Sequence, residues 1–264
     1  SGSALISNVI GTDSEYNLNV TTSSDVATLT TAQRGVYISG SSCEVGVAVR
    51  LPATVTGNQT IKWGITDGTD GFYYKLSSSG LSVNMLKNST ETSIARSDWN
   101  IDKLDGTGIS GVTLDLVKGN IFRIVFTWYG YGAVEFSVVA IDATNTQKIF
   151  PMHRMQPYGG TSTRTPNLPI TVTMANNGTT ATTNAYVAGR QYSVFGLPTP
   201  TYRLNSLYVY KGAINNSTFV PLFAVRKKSA FLSCSVRPDT IYIDVTVDSL
   251  VELRTNSTVT GGTY

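Results

Sequence analysis

Residues 121–141 read IFRIVFTWYGYGAVEFSVVAI: two runs rich in β-branched and aromatic residues, separated by Trp128-Tyr129-Gly130-Tyr131-Gly132. Such runs suit a pleated, half-buried strand, and a short gap holding two glycines suits a reversal. The stretch predicts a long β-hairpin with a Trp/Tyr/Gly tip. In its first strand Ile121, Arg123, Val125 and Thr127 share one face, and Phe122, Ile124, Phe126 and Trp128 share the other. The second set is wholly apolar and large, so it should face a core. That makes the hairpin central to a sandwich rather than a surface flap.

The rest of the chain has the same character. Residues 43–51 alternate cleanly: Cys43, Val45, Val47, Val49 and Leu51 line one face, and Glu44, Gly46, Ala48 and Arg50 the other, with Pro52 ending the run. Residues 60–65, a double Asp-Gly turn at 66–71 and the aromatic run 72–76 predict a second hairpin. Further short strands are expected at 81–86, 92–96, 147–152, 169–174, 186–187, 191–195, 207–210, 219–225, 231–236 and 241–247. No segment sustains a 3.6-residue period over helix length, and no repeat of fixed period occurs. The prediction is an all-β chain, an antiparallel β-sandwich of jelly-roll or concanavalin/lectin-like kind, formed as a single unit over residues 1–264. A sub-boundary could fall in the Pro/Gly-rich residues 157–169. Residues 98–116 form a long Gly/Asp-rich connection, and one of that length needs its own packing or a function.

Charged residues make up 14% of the chain, against about a quarter usually. Ser, Thr, Asn and Gly fill the gap, a profile suited to extracellular or virion surfaces. The net charge is +3, and Arg226-Lys227-Lys228 is the one basic cluster. That is too narrow a footprint for nucleic acid, which is not expected as a partner. Cys43 and Cys234 both sit at inward strand positions, where buried free thiols are favoured over a disulfide. No run approaches the roughly twenty apolar residues of a membrane helix. The opening Ser1-Gly2-Ser3 and the abrupt end after residues 250–253 predict a piece of a longer protein.

Catalytic chemistry finds little foothold. His153 is the sole histidine and has no Gly-x-Ser-x-Gly partner motif. A glycosidase would need a carboxylate pair, yet the acids fall mostly in turns, and Glu135 stands alone on a strand. No enzymatic activity and no cofactor are expected. Asp67 with Asp70, and Asp102 with Asp105, are candidate calcium ligands, since turn carboxylates serve that ion; neither pair matches an Asp-x-Asp-x-Asp-Gly loop. Tyr129 and Tyr131 at the tip, and Tyr73 and Tyr74 on the aromatic strand, are candidate contact aromatics for a glycan or a protein. Adjacent strand residues face opposite ways, so of Tyr73 and Tyr74 one should be buried and one exposed.

Residues 99–115 (WNIDKLDGTGISGVTLD), 120–124, 126–136, Thr165-Pro166-Asn167-Leu168-Pro169-Ile170 and residues 221–228 (PLFAVRKK) occur in a recognisable order. Over residues 99–228 the chain resembles poorly characterised virion structural proteins of tailed phages and large DNA viruses. These share an Asp-Gly-x-Gly-x-Ser-Gly loop, a Trp-x-Gly-x-Gly turn between strands, an x-Pro-Asn-x-Pro segment and a Pro-Leu-x-x-x-Arg strand. In that group a basic residue follows the Gly-x-Gly turn. Here Ala133, Val134 and Glu135 stand there, so any charge-based role of that strand does not carry over. The resemblance implies no catalytic residues. It implies a virion-surface protein (capsid, decoration, tail or fibre) that assembles as a homo-oligomer with other virion proteins and attaches to a host-surface glycan or receptor. A lectin-like carbohydrate-binding module or adhesin is the alternative.

Overall fold

The structure is a computed structural model that describes residues 2–8, 14–142, 144–156, 160–196, 208–210, 220–225, 241–247 and 249–253. The chain divides into two compact units, Ser1–Pro198 and Thr199–Tyr264. Residues 160–168 belong to the first unit, and the strand that follows them is hydrogen-bonded into its sandwich.

Among the described residues the first unit holds thirteen strands: β1 Leu5–Asn8, β2 Tyr16–Val20, β3 Val26–Arg34, β4 Ser42–Arg50, β5 Thr60–Thr66, β6 Gly71–Ser77, β7 Gly80–Lys87, β8 Thr90–Ala95, β9 Asn120–Phe126, β10 Val134–Ile141, β11 Gln147–Met155, β12 Pro169–Ala175 and β13 Thr183–Phe195. A single 3-10 turn, Arg96–Asp98, is the helical element described. The strands form a seven-stranded sheet in the order β1-β2-β13-β4-β9-β10-β11 and a six-stranded sheet in the order β3-β12-β5-β6-β7-β8. Every described pairing is antiparallel. The fold is therefore an antiparallel β-sandwich.

The core lies between the sheets, where the alternation of each strand places it. Phe122, Ile124 and Phe126 of β9 are buried, and so are Cys43, Val45, Val47, Val49 and Leu51 on β4 and just beyond it. Cys43 is a buried free thiol; Cys234 and the 226–228 basic cluster lie outside the described residues. From the other sheet Trp63 stacks on Tyr74 at 5.6 Å between ring centroids, and Phe122 meets Tyr74 at 4.8 Å and Trp63 edge-on at 5.0 Å. These aromatics bridge the two layers, and such pairs add roughly 0.5–1.5 kcal/mol each beyond the area they bury.

Two strand expectations change. The short strands expected at 186–187 and 191–195 are one strand, β13, whose register against β4 shifts between Val187 and Arg190. A bulge there breaks the period-2 pattern and hides the continuity from a pattern reading. In the second unit the described parts of the expected strands, 208–210, 220–225 and 241–247, have no regular structure; residues 231–236 lie outside the description. Tyr208, Tyr242 and Leu253 are exposed there. Strand propensity reports fit to a half-buried surface, and among the described residues no neighbouring strand supplies one.

Residues 96–119 connect β8 of one sheet to β9 of the other. Trp99, Leu104, Leu114 and Leu116 of this loop are buried. It also covers the Met152–Arg154 end of the outer edge of β11. Ile101 and Asp102 donate their N–H groups to Met152 O at 3.2 and 3.1 Å. Asn100 donates Nδ2 to Arg154 O and accepts from Arg154 N, both at 2.9 Å. One side-chain amide thus imitates a paired strand residue.

Candidate functional site

The hairpin tip, residues 127–133, is built to be stiff. Gly132 N–H and Tyr131 N–H both donate to Trp128 O, at 2.8 and 3.1 Å. A Cβ on Gly132 would lie 1.3 Å from Thr127 O, so no side chain fits at that position. Trp128 is half-buried, and its Nε1 donates to Thr163 O at 2.8 Å; Ser162 N–H reaches Gly130 O at 2.7 Å. The tip is thereby tied to the 160–168 loop. Tyr37 closes a third side, meeting Trp128 and Tyr129 edge-on at 6.0 and 6.3 Å.

On this base Tyr129 and Tyr131 stand 60% and 69% exposed. Tyr129 is held at φ 39°, a left-handed conformation that an aromatic residue seldom adopts without support. The Tyr37 edge contact and the two N–H donors to Trp128 O provide that support. Beneath the tip, the Tyr37 hydroxyl and Thr163 Oγ1 are buried with no hydrogen-bond partner among the described residues. Burial pushes the Tyr37 phenol and the Cys43 thiol up from their ordinary values.

The other two candidate aromatics do not join this surface. Tyr74 is fully buried in the core, and its hydroxyl donates to Arg123 O at 2.8 Å and Ser137 O at 3.0 Å. Burial drives its pKa well up. Tyr73 points outward as the alternation requires, yet it is buried too. Its hydroxyl donates to Glu91 Oε1 at 2.5 Å, and Lys62 Nζ lies 5.2 Å from the ring centroid. The expectation of one exposed member is corrected: Tyr73 is roofed by long side chains of neighbouring strands. Opposite it Gly64 offers no side chain, and a Cβ there would come 2.4 Å from Phe72 O.

The four aspartates are placed as turn builders. Asp70 is buried and takes Arg164 N at 2.9 Å and Arg164 Nε at 2.8 Å, fastening the 160–168 loop to the β5–β6 turn. Asp67 accepts from Asp70 N, Thr69 N and Arg34 Nη1. Burial alone would raise its pKa, but these donors hold it at about 2. Asp102 accepts from Leu104 N at 2.8 Å and Ser110 N at 2.9 Å; burial opposes its charge and the donors outweigh burial, so its pKa is lowered. Asp105 accepts the hydroxyl and N–H of Thr107, which lower its pKa. Among the described residues no three His, Cys, Asp or Glu side chains gather as a metal cluster.

Two strand glutamates and the histidine are engaged within the fold. Glu135 pairs with Arg154, and Glu44 with Arg123. His153 is buried, accepts Asn100 N–H on Nδ1 at 3.2 Å, and has its pKa lowered by burial. The role of Asn100 at the β11 edge escaped sequence reasoning, because an isolated asparagine in a loop carries no pattern. No described helix is long and apolar enough to cross a membrane.

No family model and no curated protein matches the chain. Solved structures with a similar outline include an uncharacterized protein from Mycobacterium paratuberculosis (9% identity, 67% of this chain and 81% of that one, TM-score 0.42). A beta-1,3-glucanase from Mycobacterium marinum matches at 10% identity over 67% of this chain and 74% of that one, TM-score 0.43. The botulinum neurotoxin type G receptor binding domain matches at 11% identity over 72% of this chain but only 41% of its own length, TM-score 0.38. Likeness at this level carries no argument about function.

Proposed function

We propose that the chain is a binding protein of a virion surface that attaches to a host-surface glycan through the tip of the β9–β10 hairpin. The observation that carries the binding reading is the pair Tyr129 and Tyr131, more than half exposed on a tip whose backbone, indole and flanking loop are all tied down. Preorganised aromatic rings lose little entropy on contact and stack on the apolar faces of sugars. The virion placement rests on the resemblance over residues 99–228. A lectin-like module of a cell would use the same tip, so the two readings share a site and differ in what carries it.

Glycan-array binding by the full chain, repeated with Tyr129→Ala and Tyr131→Ala, tests the site. Each substitution is expected to weaken binding about tenfold, the scale of a contact anchor. Binding that survives both substitutions, or polysaccharide turnover abolished by a single Asp or Glu change, would sink the proposal.

A further inference from the structure

Lys87, the last residue of β7, puts a charge where the strand alternation calls for an apolar side chain. Leu81 and Val83 take that face and are buried, and Met85 packs against the core. Lys87 continues the row past the end of the core. Its ammonium reaches the 160–168 loop, where it donates to Thr161 O at 2.9 Å and to the Thr161 hydroxyl. The N–H of the same peptide unit, on Ser162, donates to Gly130 O at 2.7 Å. One peptide plane therefore stands between the ammonium and the hairpin tip. No more than about 8 Å separates Nζ from Gly130 O, a span that a short oligosaccharide covers.

The charge on Lys87 has no counterpart. Among the described residues no carboxylate lies within ion-pairing distance of it. The other cations that touch the same loop are answered: Arg164 by Asp70 at 2.7 Å, and Arg34, which also donates to Asn167 O, by Asp67 at 3.1 Å. Arg154 beside β10 is answered by Glu135. The tip, residues 127–133, and the loop, residues 160–168, contain no Asp or Glu that would repel an anion. Asp70 itself is withdrawn, its side chain 2% exposed against 49% for Arg164.

A neutral donor would serve the two Thr161 acceptors as well as an ammonium does, so the charge has no task within the fold. An ammonium carries three N–H donors, and Thr161 takes two. Held in place by those acceptors, Lys87 meets an anion without the side-chain entropy loss of a free lysine.

We propose that the glycan taken by the tip is an acidic one, and that Lys87 binds its anionic group while Tyr129 and Tyr131 stack on adjoining rings. The inference rests on the reading of the tip as a glycan site. It names the class of sugar that the site selects: uronic, sialic or sulfated sugars over their neutral counterparts. A charge-assisted contact is roughly twice as strong as a neutral hydrogen bond, and salt screens it.

Arrayed glycans in matched sets, each neutral oligosaccharide beside its uronic-acid, sialic-acid and sulfated counterparts, test the inference with the full chain. The parent is expected to bind an anionic member about tenfold or more tighter than its neutral match, and that preference to shrink as salt is raised. Which members bind separates a carboxylate from a sulfate. Lys87→Gln keeps a donor for Thr161 and removes the charge, so it should erase the preference, while Lys87→Arg should keep it. A purely structural tie would weaken anionic and neutral members alike and leave their ratio unmoved. Melting curves check that both variants fold, and the salt dependence of the parent's preference needs no variant. Equal binding of neutral and anionic members, a preference indifferent to salt, or one unmoved by Lys87→Gln overturns the inference. If Tyr129→Ala and Tyr131→Ala still abolish binding in that case, the glycan site stands without its acidic preference. Binding that ignores both tyrosines, or no glycan binding at all, overturns the two together.

Discussion

Tyr74 shows how a single hydroxyl can join two layers. Its ring belongs to the six-stranded sheet, while its O–H donates to Arg123 O and Ser137 O of the other sheet. Tyr74→Phe keeps the ring and leaves those carbonyl oxygens short of a donor in the interior. We expect a loss of about 1–2 kcal/mol in denaturant unfolding, with Tyr73→Phe losing less, because the Glu91 partner it leaves behind still has Lys75. Asp67 gives a signed prediction in pH. Its folded pKa of about 2 lies below the ordinary carboxylate value near 4. Its contribution is complete above that ordinary value and is lost as pH falls through about 2. Asp67→Asn should flatten the acid limb of a plot of stability against pH, measured by denaturant unfolding at each pH.

Among the elements, the 96–119 connection behaves as a part with its own stability. His153 is its pH-sensitive point: the neutral ring accepts the Asn100 N–H, and burial lowers its pKa. Since the folded pKa lies below the free-histidine value near 6.5, the unfolded chain takes up the proton first. Stability is therefore full above that value and declines as pH falls below it, down to the folded pKa. The protection factors of the Ile101 and Asp102 amides, exchange rates corrected for the intrinsic pH dependence, are expected to fall over this range, and His153→Gln to remove the dependence. Asn100→Ala should quicken the same amides at any pH, because it unties the loop from Arg154.

The strands facing the core were legible in the sequence because burial on one side writes a period of two, as in Phe122, Ile124 and Phe126. Tyr73 was not, since its cover comes from Lys62 and Glu91 on strands whose register no local pattern reveals. The tip of the candidate site was legible as Trp-Tyr-Gly-Tyr-Gly. Its fastening to Thr163 and Ser162 was not, since those partners lie more than thirty residues away. The aspartates read as possible ligands because a turn carboxylate looks the same whether it holds an ion or its own backbone.

For the molecule as a whole, the acids that organise turns set its response to acid. Asp25 accepts from Ser3 N, Thr21 N and Thr22 N as well as both threonine hydroxyls, and Asp142 accepts from Thr144, Thr146 and Lys148. These donors hold both carboxyls far below the usual range. With Asp67 and His153 they predict a two-part decline on acidification: a shallow step below about pH 6.5 from the histidine, then a steeper one below about pH 4 from the carboxylates. Circular dichroism through an acid titration would resolve the two, and a single transition confined to neutral pH would contradict the assignment.

The Asn100 latch has a consequence for life at high density. An open strand edge is a template, and every collision between copies is a chance for sheets to fuse. By occupying the Arg154 backbone groups from the side, one asparagine withdraws this end of the β11 edge from that traffic. Copies that meet along this stretch then do so through side chains, whose contacts form and part, rather than through a backbone ladder.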